Sequence, residues 1–412
     1  LDFTYHYSQT QETFRAEVAT WLDAQLSSGN KPAVDVPQTK DRPSFLDLRR
    51  ALGGKGWLAP SEPVAHGGMG ASEGEDVILA EELDRRGLGW LQDHGTGSLT
   101  LAIHAWASQP RLTDLIADIN RGRVSIWHTC ITPQEMDAAS EERPPDCLDI
   151  TASEDGDDYV LNGHAWFAGP APTPDYLWTL AHLDGEVSGE DSPGEDGPAT
   201  TISLLVPAGS KGIASRDSRR LVEDGPRQVG FDQVRVPRSL LLGPKGEGWA
   251  LMHSALNAGP ETAAPPTLGP AVVRLQEYAD TATRNGALLI EDLVIQQMVM
   301  DAYIEGRVAR LFKTRDAWMR ASGQKTTYQP AQTRMWQKRA ARRYSQTVRQ
   351  VVGVYALLDK KDPRAPAQGE FELQQRKILA SIDPTGVSGS DADMIAWHLG
   401  MTKGHEKSTA QS

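Results

Sequence analysis

The side chains that could do chemistry are scattered along this chain, and none forms a hydrolytic, nucleotide-cradling or metalloprotease signature. There is no GxSxG elbow, no Walker loop and no HExxH. His94 and His104 stand without partners at metal-ligand spacing, so the sequence predicts no metal site. His128 follows Trp127 and reads as a core or turn histidine. Cys130 and Cys147 make neither a disulfide framework nor a zinc knuckle. One basic run, Lys338-Arg339-Ala340-Ala341-Arg342-Arg343, could meet phosphate or carboxylate groups. Met335, Trp336, Tyr344 and Val348 lie on other faces of the same helical stretch, which makes a solvated helix face the simpler reading. A contact with an acidic cofactor or subunit is the alternative.

The elements that must position these groups follow from length and pattern. At 412 residues, 39% hydrophobic and 24% charged, the chain has the size and balance of a globular protein with more than one core. A net charge of −13 opposes nucleic-acid binding. No run approaches 18 uncharged apolar residues, so no membrane span is expected, and the opening LDFTYHYSQTQETFRAEV lacks the basic start and apolar stretch of a secretory signal. A cytoplasmic location is the expectation.

The first third is helical in pattern: Phe14, Val18, Trp21, Leu22 and Ala24 fall near helical spacing. Ser72 and Glu75 have capping-box spacing before EDVILAEELDRRG, with Gly87 placed to close that helix. GWLAPSEPVAHGGMG between helices reads as an ordered structural loop. From about 124 the period changes to two, with strand candidates at 158–161, 165–168, 176–182, 201–206 and 230–236. Asn162-Gly163 predicts a two-residue hairpin turn between the first two. The acidic, Gly/Pro-rich 185–199 predicts an exposed loop. From about 247 three long helical stretches follow, with the lengths of a bundle. Their apolar and aromatic residues, among them Met298, Met300, Tyr303, Leu311, Phe312, Trp318 and Met319, exceed one narrow core stripe and predict an oligomer.

Three stretches together carry a family resemblance: GGKGWLAPSEPVAHGGMGASEGEDVILAEELDRRGLGW, the segment 124–169, and FDQVRVP followed by GEGW. With the order helices, strands, helices, the chain resembles the acyl-CoA dehydrogenase family over nearly its whole length. The resemblance implies an α+β fold with an N-terminal helical domain (1–123), a middle β-barrel domain (124–244) and a C-terminal four-helix bundle (245–412). It also implies FAD, and an acyl-CoA thioester as substrate. In the family a Thr-Glu-Pro-x-Ala-Gly-Ser-Asp segment touches the flavin. Here the match is Ile131-Thr132-Pro133-Gln134-Glu135-Met136-Asp137, without the Gly-Ser pair. The return strand reads Ala165-Trp166-Phe167-Ala168-Gly169, without the usual hydroxyl. Thr132, Trp166 and Phe167 are the flavin-side candidates this implies. Arg284, in Ala282-Thr283-Arg284-Asn285-Gly286, stands near the place of a phosphate-binding Arg. Gln350 and Gly353 match part of a Gln-x-x-Gly-Gly motif.

The reaction of that family removes a weakly acidic α-proton, which needs a placed carboxylate. Set against the family's ending, Thr385 falls on the usual base position, and a neutral hydroxyl cannot take that role. At the alternative position the match is Ala258, with Glu261 the nearest carboxylate; Asp383 and Asp391 are further acids in the last region. The resemblance therefore implies a subunit that works with a homologous, Glu-bearing acyl-CoA dehydrogenase chain, as in the steroid-CoA dehydrogenases of actinobacteria. Its flavin would be shared with that partner, or lost. The rival readings are a different reaction on the same fold, and a non-catalytic paralogue.

Overall fold

The computed structural model describes residues 7–27, 43–86, 88, 91, 94–106, 110–130, 149–169, 173–184, 200–216, 227–258, 268–381 and 389–401. Its helices are α1 (Gln9–Ser27), α2 (Pro43–Gly54), α3 (Glu73–Arg85), α4 (His94–Trp106), α5 (Pro110–Asn120), α6 (Gly248–Ala258), α7 (Leu268–Thr281), α8 (Leu293–Ala321), α9 (Gln329–Val352), α10 (Glu370–Ser381) and α11 (Gly389–His398). Its strands are β1 (Ile126–Thr129), β2 (Thr151–Asp155), β3 (Asp158–Ala168), β4 (Tyr176–Leu183), β5 (Thr201–Pro207), β6 (Ile213–Arg216), β7 (Arg227–Pro237), β8 (Leu241–Gly246), β9 (Thr283–Arg284) and β10 (Ala287–Leu288). They form two compact units, each gathered from separate stretches of chain. α1 and α3 belong with α7–α11, whereas α2, α4, α5 and α6 belong with the strands β1–β8. No described helix is long and apolar enough to cross a membrane.

In the helical unit, α1 buries Phe14, Val18 and Leu22 of the stripe read in the sequence, while Trp21 is half-buried and Ala24 is exposed. The capping box forms: the Ser72 amide donates to Glu75 Oε2 (2.8 Å) and the Glu75 amide to Ser72 Oγ (3.4 Å). The helix it opens, α3, ends at Arg85, and Gly87 lies outside the described residues. Leu275, Val299, Tyr344, Val348, Val351 and Phe371 make the core of α7–α10, with the Tyr344 hydroxyl donating to Ala271 O at 2.9 Å. The Met and aromatic positions of α8 divide: Met319 is buried, while Met300, Tyr303 and Leu311 are exposed.

The other unit is built on a mixed eight-stranded sheet in the order β6-β7-β3-β1-β4-β5-β8, with β2 also lying between β3 and β4. β1 and β2 thus fill one slot end to end. β1 pairs with the end of β3 and the start of β4, and β2 with the opposite ends. All five strand candidates are extended as expected, but 158–161 and 165–168 are one strand, β3, and Asn162-Gly163 is not a hairpin turn. The register against β7 slips between Leu161 and Gly163, which marks a bulge. Asn162 Oδ1 accepts from the amide and the Nε2 of Gln233, each at 2.9 Å. Gly163 has φ +115, and a Cβ there would lie 2.0 Å from Asp149 O, so the glycine serves close packing rather than chain reversal. The reversal comes earlier, at Gly156-Asp157, between the paired Asp155 and Asp158. The acidic stretch 185–199 lies outside the described residues.

Candidate functional site

On β1 and β3, paired residues share a face of the sheet. Thr129 opposes Phe167 and His128 opposes Ala168, while the Cys130 amide donates to Trp166 O at 2.7 Å. Adjacent strand residues point to opposite faces, and the two aromatic candidates therefore part company. Phe167 is 1% exposed in the core against Phe231, whereas Trp166 is 44% exposed. Trp127 is buried, with the Arg227 guanidinium 4.7 Å over its ring. Gly169 is needed beside it, since a Cβ would lie 2.2 Å from Trp127 Cδ1. The half-exposed indole of Trp166, with His128 and Cys130 both partly exposed nearby, is the surface this sheet offers to a flat ring.

The second group of candidates sits in the helical unit. Thr283-Arg284 and Ala287-Leu288 pair around Asn285-Gly286, both at positive φ (54° and 83°), so this Asn-Gly does make a two-residue hairpin turn. The hairpin carries Arg284 to the C-terminal end of α9, where its Nη2 donates to Val351 O (2.7 Å) and Gln350 O (3.5 Å). A cation there satisfies helix carbonyls that have no partner further along the chain. Gly353, at φ +70 and ψ −146, ends the helix in a conformation other residues rarely adopt. The exposed Gln350 and Arg284 and the half-buried Gly353 thus lie at one helix end. Among the described residues Arg284 Nη1 and Nε make no hydrogen bond, and they remain available to an anionic oxygen. A groove of about 250 Å³ runs beside it, lined by Arg284, Asn285, Leu288, Leu289, Asp292 and Ile295 among others.

Thr132, Thr385, Glu261 and Asp383 lie outside the described residues; Ala258 is the last residue of α6. Asp391 is buried and accepts from Arg334 Nε at 2.8 Å, so it is engaged in an ion pair. The basic run is only partly a solvated face. Lys338 Nζ lies 3.8 Å from Asp391, Arg343 pairs with Glu305, Arg339 lies over Trp336, and Ala340 and Ala341 are buried.

His104 does not stand alone. Its Nε2 lies 3.1 Å from Glu62 Oε2, and His66 Nδ1 lies 3.6 Å from the same oxygen. The sequence signal was Glu62 four residues before His66, inside the loop read as structural; the 42 residues to His104 hid the third member.

Comparison with known proteins decides the family. Residues 8–121 match the model of the acyl-CoA dehydrogenase N-terminal domain, and residues 246–388 that of the acyl-CoA dehydrogenase C-terminal domain. This chain belongs to the acyl-CoA dehydrogenase family. Its fold is the family's, with an N-terminal helical domain, a central sheet domain and a C-terminal helical domain. It is 22% identical to acyl-CoA dehydrogenase FadE26 of Mycobacterium tuberculosis over 397 residues, 94% of this chain and 96% of that one. A chain of the ChsE4-ChsE5 complex from Mycobacterium tuberculosis matches with a TM-score of 0.78 at 21% identity, covering 97% of this chain and all of that one (100%). A chain of the Tcur3481-Tcur3483 steroid acyl-CoA dehydrogenase matches at 0.75 and 21% identity, covering 97% and 100%.

As an acyl-CoA dehydrogenase family member the chain is expected to meet FAD, and each unit carries a group with suitable chemistry. Trp166 is 44% exposed, and the Nη1 and Nε N–H groups of Arg284 have no partner among the described residues.

Proposed function

We propose that this chain is one subunit of a flavin-dependent acyl-CoA dehydrogenase in which a second, homologous chain supplies the catalytic carboxylate. What supports the reading is the pair of residues that the resemblance sets at the family's two base positions, Thr385 at the first and Ala258 at the second, neither of them a carboxylate. Two of its structural relatives are named as complexes of two different proteins, one of them a steroid enzyme, which supports a steroid-type acyl-CoA thioester and an unlike partner. FAD, when bound, supplies the hydride acceptor for the β-carbon. Toward it, Trp166 would cover a ring face, Thr132 would lie on the flavin side, and Arg284 with Gln350 would hold phosphate oxygens at the end of α9. Phe167 would act from within the core, by holding β3 and therefore Trp166 in place. The Thr385 hydroxyl stays protonated at neutral pH and does not accept the α-proton, so that step falls to the partner's carboxylate.

The test compares the purified chain alone with the chain co-expressed with a Glu-bearing homologue. Alone it should oxidise acyl-CoA thioesters about 10²–10⁴-fold more slowly than the pair, the typical cost of losing a general base. The pair should turn over with fewer flavins than polypeptide chains, and Arg284→Ala or Gln350→Ala should weaken flavin retention. Full turnover by the single chain, abolished by Glu261→Gln, would overturn the reading and make Glu261 the base. A bound flavin without thioester oxidation in either preparation would point to a different reaction on this fold.

A further inference from the structure

We propose that Glu62, His66 and His104 form a binding site for one divalent transition-metal ion of the zinc class, separate from the flavin chemistry. All three lie in the sheet-bearing unit: Glu62 and His66 on the loop 57–70, and His104 on α4. One atom from each, a carboxylate oxygen and two imidazole nitrogens, lies within 4.8 Å of the other two. A tetrahedral ion with bonds of about 2.0–2.2 Å places neighbouring ligand atoms roughly 3.3–3.6 Å apart. The carboxylate oxygen Glu62 Oε2 stands 3.1 Å from His104 Nε2, just below that spacing, and 3.6 Å from His66 Nδ1, at its upper limit. The two rings are tilted by 40° with centroids 4.9 Å apart.

His66 Nδ1 distinguishes this arrangement from a surface ion pair. The atom is shielded from solvent and has no hydrogen-bond partner, although the ring as a whole is a third exposed. A buried polar atom without a partner is uncommon and needs an explanation. A metal ion in line with its lone pair supplies one. The loop is also held before any ion arrives. The Glu62 amide donates to Ala59 O (3.1 Å), Glu62 O accepts from Gly70 (2.8 Å), and Asn120 Nδ2 donates to His66 O at 2.8 Å. Gly68 lets the loop close on itself, because a Cβ there would lie 2.1 Å from Glu62 O. The donor set of two imidazoles and one carboxylate selects zinc-class ions over calcium or magnesium, which take oxygen ligands. With His104 33% and Glu62 17% exposed, a fourth position stays open to water. Such an ion would fasten the loop to α4 and so brace the unit that carries Trp166.

The experiment uses the untagged full chain, stripped with EDTA, dialysed and titrated with ZnCl2 by calorimetry. One ion per chain is expected, with a rise in Tm that the unliganded protein lacks. Glu62→Gln, His66→Ala and His104→Ala should each weaken binding by at least about tenfold, since even outer-shell changes cost 10–100-fold. His164→Ala, on β3, should leave it unchanged. Co2+ in place of Zn2+ should give the intense visible bands of a tetrahedral nitrogen-oxygen site, which decides the matter if a substituted chain fails to fold. No heat, no Tm shift and no Co2+ bands in the wild type would overturn the proposal. So would binding that survives both histidine substitutions undiminished; the cluster would then be two imidazoles sharing one carboxylate.

Discussion

The sheet unit and the helical unit each bury an apolar core, but they satisfy their buried polar groups differently. In the sheet unit the buried polar groups answer one another within the strands: Trp178 Nε1 donates to Ser203 Oγ at 2.8 Å, and Thr129 Oγ1 to Trp178 O at 3.1 Å. The helical unit is tied by charge. Glu81 sits between Arg15 and Arg310, and Glu82, 1% exposed, between Arg15 and Arg86. Asp391 meets Arg334, and Glu370 meets Arg274. Their surfaces differ as well. The sheet unit shows Val64, Leu101 and Trp166 as separate exposed residues, whereas α8 alone exposes Leu293, Val294, Met300, Tyr303, Ile304 and Leu311. Leu293, Met300, Ile304 and Leu311 fall at spacings of seven, four and seven, which places them on one helix face. A contiguous apolar face of this kind marks a surface built to be covered. Exposed apolar residues are thus scattered over the sheet unit and gathered along one helix face in the helical unit.

The largest expected effect breaks that contrast at the exposed face of α8. Met300→Glu combined with Ile304→Glu should reduce the assembly to single chains by light scattering, with the helical circular dichroism retained. An unchanged mass would remove this face as the interface. Next, Trp178→Ala should cost about 3–5 kcal/mol in urea unfolding, the range for deleting a large buried aromatic. That loss should be almost independent of salt, because the sheet core is apolar.

Glu81→Gln should cost about 2–4 kcal/mol, as expected when one member of a part-buried ion pair is removed. Its effect should shrink at high salt, unlike that of Trp178→Ala. Burial alone would raise the Glu81 carboxyl, but the bonds from Arg310 and Arg15 outweigh it and hold the group below its ordinary value of 4.5. A depressed folded-state value means stability that is present above pH 4.5 and lost as the pH falls through the folded value. The wild type should therefore lose stability in that window, and Glu81→Gln should flatten this part of the acid transition. A parallel acid profile in the two proteins would break the claim. The smallest effect is at the β3 bulge. Gly163→Ala should cost about 1–3 kcal/mol through backbone strain and the approach to Asp149 O. A neutral result would mean that the bulge relaxes without the glycine.

Local patterns that depend only on near neighbours were legible. The α1 stripe, the Ser72–Glu75 capping box and the five strand candidates are where the pattern put them. Legibility failed where a distant partner decides. Two Asn-Gly pairs, 162–163 and 285–286, carry the same turn signal, yet only the second reverses the chain. At the first, β7 pairs with both halves of β3 and keeps the chain extended, and the glycine's freedom goes into a bulge. β1, β2, β6 and β8 are four to six residues long, too short to show a period of their own, and exist because longer strands pair with them. The site candidates divide in the same way. Arg284 was visible as a residue, but its place at the end of α9 was not.

By itself the sequence determined the order of helical and extended segments, and it carried the motifs on which the resemblance to the family rests. These are properties of residue type and spacing, and they need no coordinates. Tertiary structure alone decided that Trp166 is open while Phe167 is core, because two neighbouring strand residues differ only in which face the sheet buries. It also decided that Glu62, His66 and His104 meet, because Glu62 and His104, 42 residues apart, are brought together only by the packing of the loop 57–70 on α4 and α5.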